Sequence, residues 1–222
     1  MSRLRTLFLL TCAAFSSLVG SGASAAVLTP VGVTATSSFP FTDVYRPERL
    51  IDGSGLAGGL HDADFNTMFL TAQEDQQARL TFDLGARYAL TGASLWNYNF
   101  GAPGFFSLLR RGVRDFSISL SDDGRAYTRV FGGTLAQGTG AALAAETFAF
   151  AGQGRFVALD ILSNHASGDY DANDTASGLS EIRFSGSAVP EPTAWAMMIG
   201  GMGLAGGMMR ARRNRRGTPA TA

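Results

Sequence analysis

The acidic segment DYDAND is the stretch whose residue types and spacing come nearest to a metal-binding loop. Asp169, Asp171 and Asn173 alternate as in a calcium-binding hand, where side-chain oxygens at every second position turn toward the ion. The sixth position is Asp174, where the sharp turn requires glycine, and the twelfth is Ser180 where a glutamate is required. No helical pattern flanks the segment. We expect a solvated acidic loop, and a looser second calcium site is the alternative.

Catalytic motifs are missing from the sequence. It contains no G-x-S-x-G, no H-E-x-x-H and no pair of carboxylates whose spacing alone would place them across a glycosidic bond. The stretch GMGLAG (201–206) satisfies G-x-G-x-x-G, but it lies inside an apolar run without a preceding strand, so we do not interpret it as a dinucleotide site. Glycines at this spacing suit close helix packing in a membrane instead. The sequence therefore favours a binding protein over an enzyme.

The charge of the chain is unevenly distributed. All 18 basic residues are arginine, and residues 26–189 hold 11 of them against 17 acidic residues, a formal net charge of −6. Nucleic acid selects basic surfaces, so it is not an expected partner.

The N-terminus has the three parts of a secretory signal. Arg3 and Arg5 precede an apolar run over 7–19, and Ala-Ser-Ala ends at Ala25. We expect the secretion translocon to export the chain and a signal peptidase to remove residues 1–25. The alternative, a lipoprotein acylated at Cys12, fits poorly because the apolar stretch before that residue is too short. The mature chain then has no cysteine, and its stability must come from a core or a metal.

The middle of the chain is patterned as short strands. In QARLTFDLG (77–85) apolar and polar residues alternate with a period of two, and RDFSISLSDDGRAYTRVF (114–131) repeats this pattern around an Asp-Gly turn. Further strands are expected at 146–150, 155–162 and 181–186. Many short strands separated by Gly, Asn and Asp indicate an all-β sandwich or barrel.

Six motifs in this region carry a resemblance to a known fold. ERLIDG (48–53), LTFDLG (80–85), ASLWNYN (93–99), RGVRDFSISLSDDG (111–124), GRFVALDI (154–161) and GLSEIRF (178–184) follow one another as in the discoidin-type domains of coagulation factors and many bacterial carbohydrate-binding modules. The resemblance implies an all-β, galactose-binding-like jelly-roll β-sandwich over residues 26–188. The chain departs from the pattern by insertions at 54–63, 101–109 and 167–177.

These insertions are where we expect ligand binding, because loops on a rigid scaffold usually carry function. Sugar recognition needs flat apolar rings beside directional hydrogen-bonding groups. The candidate ligand-binding residues in or near the loops are His61, Phe105, Phe106, Arg110, His165 and Tyr170. Membrane-inserting loop aromatics, as in some phospholipid-binding relatives, are the alternative for the two phenylalanines. Trp96 and Tyr98 lie on a predicted strand and are expected in the core.

The same resemblance implies a structural calcium ion. Asp52, Asp64, Thr67 and Glu181 fall on the positions that hold calcium near the chain ends in this superfamily. Calcium accepts carboxylate, hydroxyl and carbonyl oxygens in irregular geometry. The alternative is that Asp52 only forms its Asp-Gly turn and that Glu181 is solvated.

The C-terminal region consists of three short parts. Residues 193–209 are 17 positions without a charge, about 25 Å as a helix, just short of a bilayer core of about 30 Å. Five arginines follow, which favours a single transmembrane helix with its end in the cytoplasm; they are Arg210, Arg212, Arg213, Arg215 and Arg216. Residues 217–222 are expected to be a disordered tail.

Residues 189–216 closely resemble the PEP-CTERM sorting signal of Gram-negative bacteria that make exopolysaccharide. Val189, Pro190, Glu191 and Pro192 supply its motif. The resemblance implies transient anchoring in the inner membrane and cleavage near Pro-Glu-Pro by an exosortase, a membrane peptidase. The two prolines keep the motif extended and open to a protease. An uncut anchor is the alternative.

Taken with the fold, these signals predict an exported, exosortase-processed and non-catalytic binding module of the cell surface or extracellular matrix, with carbohydrate or exopolysaccharide as its ligand. A structural matrix protein of a biofilm without a discrete ligand is the alternative.

Overall fold

The structure, a computed structural model, describes residues 25–40, 42–101, 104, 106–166 and 175–190, together with the helical positions 197, 199–204 and 208. Its strands are β1 (Ala26–Leu28), β2 (Gly32–Ala35), β3 (Leu56–Ala57), β4 (Leu60–His61), β5 (Phe69–Leu70), β6 (Arg79–Asn97), β7 (Asp115–Ser121), β8 (Thr128–Thr134), β9 (Leu143–Ala144), β10 (Glu146–Ile161) and β11 (Gly178–Ala188). The helices are short: α1 (Thr42–Tyr45) and three 3-10 turns at Pro47–Leu50, Phe65–Thr67 and Phe106–Arg111.

Eight strands form one continuous sheet. Its order is β1-β11-β6-β10-β7-β8, while β2 adds to β6 and β5 adds to β11, and β3-β4-β9 form a separate small sheet. One edge of β6 pairs first with β2, at residues 80–83, and then with β11, at residues 88–97. The other edge of β6 pairs with β10 along almost its whole length. All of the pairings within named strands are antiparallel.

The sheet folds over into a sandwich where β6 and β10 bend. The pairing of these strands shifts register between Ala149 and Gly152 and again between Gly154 and Phe156 of β10. Gly154 is required at the bend, because a Cβ there would lie 2.9 Å from the carbonyl oxygen of Ser121. Register shifts of this kind bend a strand and increase its twist. Each long strand therefore contributes to both layers of the sandwich.

The core lies between these two layers. Phe82 of β6 meets Phe184 of β11 with ring centroids 5.5 Å apart, and Phe116 of β7 meets Phe148 of β10 at 5.2 Å. Ala78, Leu80, Phe82 and Leu84 are all buried, as the period-two pattern predicts. The predicted β-sandwich class and the hairpin around Asp123-Gly124 are confirmed, the latter as β7 and β8.

Three predicted strands differ in extent from the structure. The expected strands at 146–150 and 155–162 form the single bent strand β10, and the strand expected at 77–85 continues as β6 to Asn97. In the sequence, glycine-rich stretches were interpreted as breaks between these strands. In the structure, the glycines lie at bends inside continuous strands, where the backbone approaches a neighbouring strand closely.

The sandwich has two ends, which carry different features. The loop end is where Gly112 pairs with Gly178 and Val113 with Asn164. The tail end is the opposite end, where Ala188 of β11 pairs with Tyr88 of β6. At 197, 199–204 and 208 the chain is helical. Among the described residues, no helix has the length and apolar character of a membrane span.

Candidate functional site

A row of four aromatic side chains lies at the loop end, and we call Phe39, Tyr45, Phe65 and Phe100 the aromatic row. Neighbouring ring centroids are 5.3, 6.2 and 5.4 Å apart along the row. These are the separations at which aromatic rings attract one another. Phe65 is 37% exposed, and the other three rings are half-buried. The neighbouring rings are inclined to one another by 72°, 43° and 71°, and Phe65 is the ring that the row exposes to solvent.

The aromatic row rests on a second small core. Met68, Leu70, Tyr98 and Ala176 are fully buried beneath it, and Phe39, Tyr45 and Phe100 pack against them. Burial raises the pKa of the Tyr45 hydroxyl, and the positive charge of Arg111 opposes that rise. Burial also raises the pKa of Tyr98 far above its ordinary value, with Arg111 again opposing. The row is thus rigidly supported and has one guanidinium beside it.

Two buried asparagines fasten the loops around this end. The Asn99 side-chain oxygen accepts hydrogen bonds from the backbone N–H groups of Thr139 and Gly140, both at 2.9 Å. Its amide nitrogen donates to the carbonyl oxygens of Asp62, at 3.1 Å, and Ala141, at 2.5 Å. All four of its hydrogen-bonding capacities are used.

Asn97, the last residue of β6, acts in the same way. Its side-chain nitrogen donates to the carbonyl oxygens of Val113, at 2.8 Å, and Ala136, at 2.7 Å. Trp96, on the same strand, donates its indole N–H to Gly59, at 3.0 Å, and so fastens the glycine-rich insertion. Trp96 and Tyr98 are both buried, which confirms their expected place in the core.

The structure brings together two of the predicted ligand-binding residues. The backbone N–H of His165 donates to the carbonyl oxygen of Arg110 at 2.9 Å. Nε2 of His165 lies 3.0 Å from the carbonyl oxygen of Leu135, so this nitrogen carries the proton. Burial lowers the pKa of His165, so the ring is neutral at pH 7. These hydrogen bonds hold His165 in place at the loop end, where the residue is half-buried.

Another predicted ligand-binding residue, His61, lies away from the surface. The ring is fully buried, and its Nδ1 lies 3.1 Å from the carbonyl oxygen of Asp62. Gly55 covers it closely, since a Cβ on Gly55 would lie 2.7 Å from His61 Cε1. A side chain without exposure cannot contact a sugar, so the expectation that His61 binds ligand does not fit this structure.

The four predicted calcium ligands form two groups around residues 52–55. Glu181 is fully buried, and its Oε2 accepts a hydrogen bond from the backbone N–H of Gly53 at 3.2 Å. Burial raises its pKa to about 8, although Arg183, with a guanidinium 2.6 Å from Oε1, opposes that rise. The alternative of a solvated Glu181 is thus excluded by the structure. Arg183 already supplies the positive charge that a metal would otherwise provide.

Asp52 lies beside this pair. Burial would raise its pKa, but hydrogen bonds from Ser54 and the charge of Arg49 bring it below the ordinary value. Its carboxylate accepts from the Ser54 N–H at 2.8 Å and from Arg49 at 3.2 Å. The negative charge of Asp52 also raises the pKa of Glu181, so the two carboxyl groups lie close together, as the carboxylate ligands of a cation would.

The second group contains the predicted Asp64 and Thr67 together with Asp62. The Asp64 carboxylate caps the 3-10 turn, where Oδ1 accepts from the backbone N–H and the side-chain nitrogen of Asn66 at 3.0 and 2.7 Å. The Asp64 carbonyl oxygen accepts from Thr67 Oγ1 at 2.6 Å, and Asp62 Oδ1 lies 2.9 Å from the same Thr67 oxygen, under Gly55. Within the described ranges, no three or more His, Cys, Asp and Glu side chains are gathered as a ready metal centre.

A separate polar groove of about 510 Å³ is lined by Glu74, Asp75, Gln76, Gln77 and Thr175. It holds carboxylates and amides but no aromatic ring, so its chemistry is unlike that of the aromatic row.

Several predicted residues lie outside the described residues. These are the signal segment up to residue 24, Phe105, the side chain of Phe106, the acidic loop with Asp169, Asp171, Asn173 and Tyr170, the Glu191 and Pro192 positions of the motif, Arg210, Arg212, Arg213, Arg215 and Arg216, and residues 217–222.

Sequence comparison identifies the C-terminal segment. The family model described as the PEP-CTERM protein-sorting motif matches residues 188–216, which confirms the resemblance seen in the sequence. This motif indicates export with a sorting signal. No curated protein sequence matches the chain significantly.

Solved structures confirm the fold. The chain is similar to the C-terminal domain of a chitobiase from Bacteroides fragilis, with 14% identity, 74% of this chain and 100% of that chain covered, and a TM-score of 0.52. It is similar to CBM32-3 of a family 31 glycoside hydrolase from Clostridium perfringens, with 22% identity, 73% and 95% covered, and a TM-score of 0.52.

A third match is a truncated AlyQ with CBM32 and alginate lyase domains, with 23% identity and a TM-score of 0.50. It covers 76% of this chain but only 35% of that one, so the present chain spans about a third of its length. The likeness is therefore to the carbohydrate-binding-module fold, the galactose-binding-like β-sandwich.

Proposed function

We propose that this protein is an exported, non-catalytic carbohydrate-binding module that an exosortase processes and delivers to the cell surface or the extracellular matrix. The ligand is a sugar of an exopolysaccharide, bound at the loop end. Support for this comes from the sorting motif, from the fold shared with carbohydrate-binding modules and, above all, from the aromatic row with its exposed Phe65 ring.

The aromatic row carries the proposal because of its chemistry. The C–H faces of a pyranose ring are apolar and flat, and a ligand pocket combines such contact with a few fixed polar groups. Here the exposed Phe65 ring would supply the flat apolar contact, and the hydroxyl of its neighbour Tyr45, together with Arg111, would supply directional groups for sugar hydroxyls. The buried Asn99 keeps the surrounding loops in place without being part of the surface.

Calcium belongs to the proposal as a structural ion. Asp52 and Glu181 on one side of residues 53–55, and Asp62 and Thr67 on the other, would have to close on the ion, because no three such acidic side chains of the described residues are gathered at one point. Bound calcium would supply a fixed positive charge that ties β11 to the loop after the first 3-10 turn. No step of sugar binding depends on it.

The structural-matrix alternative predicts no discrete ligand. An array of immobilised neutral and uronate-containing oligosaccharides, probed with the mature protein, separates the two. Binding to a defined subset of glycans supports the module. Uniform absence of binding by a folded protein would favour the matrix role, and binding to phospholipid vesicles instead would support the membrane alternative.

A further inference from the structure

A second groove opens next to the polar groove that Glu74 and Asp75 line, and the two grooves share one residue. The second groove has a volume of about 310 Å³, and the polar side chains that line it are Thr36, Gln77, Arg79 and Asp160. Gln77 also lines the first groove, of about 510 Å³, and its side-chain nitrogen donates to the carbonyl oxygen of Leu162 at 3.1 Å. We call the two grooves together the flank trough.

Buried hydroxyl groups hold one wall of the flank trough in place. The hydroxyl of Thr71 donates to the carbonyl oxygen of Asp75 at 2.5 Å, and that of Ser177 donates to the carbonyl oxygen of Gln76 at 2.7 Å. Both Thr71 and Ser177 are fully buried. A wall that is fixed before a ligand arrives loses little conformational freedom on binding, so this wall is suited to recognition.

Arg79 and Asp160 form the polar centre of the other wall. The guanidinium donates to both carboxylate oxygens, at 2.6 and 3.1 Å, and the Arg79 backbone N–H donates to the Thr36 hydroxyl at 3.0 Å. Arg79 Cζ also lies 5.5 Å from the centre of the Tyr127 ring, yet the Arg79 side chain remains 44% exposed. A fixed donor beside a fixed acceptor suits two neighbouring hydroxyl groups of a sugar, one of which accepts a hydrogen bond while the other donates one.

The flank trough adjoins the Phe39 end of the aromatic row. Thr36 of the trough and Phe39 of the row are three residues apart, which is at most about 11 Å along the chain. Thr175 of the trough directly precedes Ala176, which is buried beneath the row. One extended ligand can therefore contact both the row and the trough.

The charges along the flank trough favour a neutral ligand. Glu74 and Asp75 contribute carboxylates, and the guanidinium of Arg79 is already paired with Asp160. A chain of uronic acids would bring further carboxylates beside them, and residues 26–189 already carry a formal net charge of −6. Like charges at such short range repel each other. The hydroxyl groups of a neutral sugar can instead donate to the carboxylates and accept from Arg79 and Gln77.

We propose that the flank trough extends the aromatic row into a chain-binding site, so that the protein binds an internal stretch of a neutral polysaccharide and not only a terminal sugar. This inference rests on the sugar binding proposed for the aromatic row. One sugar unit stacks on Phe65, and further units of the same chain lie in the trough, where they form hydrogen bonds with Gln77, Arg79 and Asp160. Affinity therefore rises with chain length.

Calorimetric titration of the mature protein with oligosaccharides of graded length tests the inference. The probes are neutral oligomers of galactose and of N-acetylglucosamine, from disaccharide to octasaccharide, and alginate oligomers of the same lengths as the charged comparison. The trough variants are Gln77→Ala and Arg79→Met. Their matched controls lie at the tail end: Gln153→Ala replaces an exposed glutamine, and Arg87→Met removes an exposed ion pair with Asp122.

We expect one neutral series to bind the wild type at least about fivefold more tightly as octasaccharide than as disaccharide. Each trough variant should lose about 2- to 10-fold in octasaccharide affinity, with a smaller loss for the disaccharide, which is too short to extend from Phe65 along the trough. The controls should bind every length as the wild type does. Phe65→Ala should weaken binding of both lengths, because each of them stacks on that ring. Alginate octasaccharide should bind more weakly than the neutral one.

Trough variants that bind the octasaccharide as tightly as their controls would overturn the inference, as would a wild type that gains nothing from chain length. Tighter binding of alginate than of both neutral series would overturn the assignment of a neutral chain. These results leave sugar binding at the aromatic row intact if disaccharide binding still depends on Phe65. A Phe65→Ala variant that binds every length as the wild type does would instead overturn the proposed function, and this inference with it.

Discussion

Replacing Asn99 by aspartate should destabilise the domain by removing two buried donors. The side chain is fully buried, and its nitrogen serves the carbonyl oxygens of Asp62 and Ala141. A carboxylate keeps the two bonds from Thr139 and Gly140 but turns an acceptor toward both carbonyls. Each lost bond costs about 0.5–1.5 kcal/mol, and buried groups left without a partner cost about 1–3 kcal/mol. We expect a total of about 2–5 kcal/mol.

Urea unfolding of the Asn99→Asp variant at pH 7 measures this loss, and Asn66→Asp is the matched control. Asn66 is exposed, and its side chain bonds only to the exposed Asp64, so its replacement should cost less than about 1 kcal/mol. At roughly 2–4 °C per kcal/mol for a domain of this size, the melting temperature of Asn99→Asp should fall by about 4–20 °C. An Asn99→Asp variant as stable as the control would refute the role of Asn99 as the loop clamp.

Two further predictions concern a cation and a proton. Calcium at a hundredfold excess over its Kd should add about 2.7 kcal/mol to the free energy of unfolding. A fluorescence melt should show that this gain is lost in Asp62→Asn and kept in Asp64→Asn. A wild-type melting temperature that changes with neither calcium nor chelator would contradict the calcium site. Because burial lowers the folded-state pKa of His165, the unfolded chain binds the proton more tightly, and stability should fall as the pH drops below about 6.5. Denaturant titrations should show that the stability of His165→Gln depends less steeply on pH than that of the wild type. The same pH dependence of stability in both proteins would contradict this role of His165.

The sandwich could be predicted because its signal is local. Leu80 and Phe82 alternate with polar residues on one strand, and the alternation alone decides which face is buried. The bends could not be predicted, since a glycine such as Gly154 predicts a turn as readily as a bend inside a strand. Its role depends on the neighbouring strand, where a Cβ would meet Ser121.

The candidate site was predictable only in part. Phe39, Tyr45, Phe65 and Phe100 come from four separate short segments between the long strands, and the pairing of β5, β6 and β11 brings these segments together. The sequence instead predicted Phe105 as a ligand-binding residue, because that residue lies in an insertion.

The ion pair of Glu181 with Arg183 could have been predicted from the sequence. Residues two apart on a strand share a face, so this carboxylate and guanidinium were placed to pair.

The most direct test of carbohydrate binding at the loop end is a calorimetric titration of the mature protein with the oligosaccharide that gives the strongest array signal. Phe65→Ala removes the most exposed ring of the aromatic row, and Val31→Ala, at the tail end and 71% exposed, is the control. By analogy with aromatic stacking on bases, loss of the ring should weaken binding by about 1–3 kcal/mol, roughly 5- to 150-fold in Kd. Val31→Ala should bind as the wild type does. Equal affinity of all three proteins would contradict the assignment of the aromatic row as the sugar-binding surface.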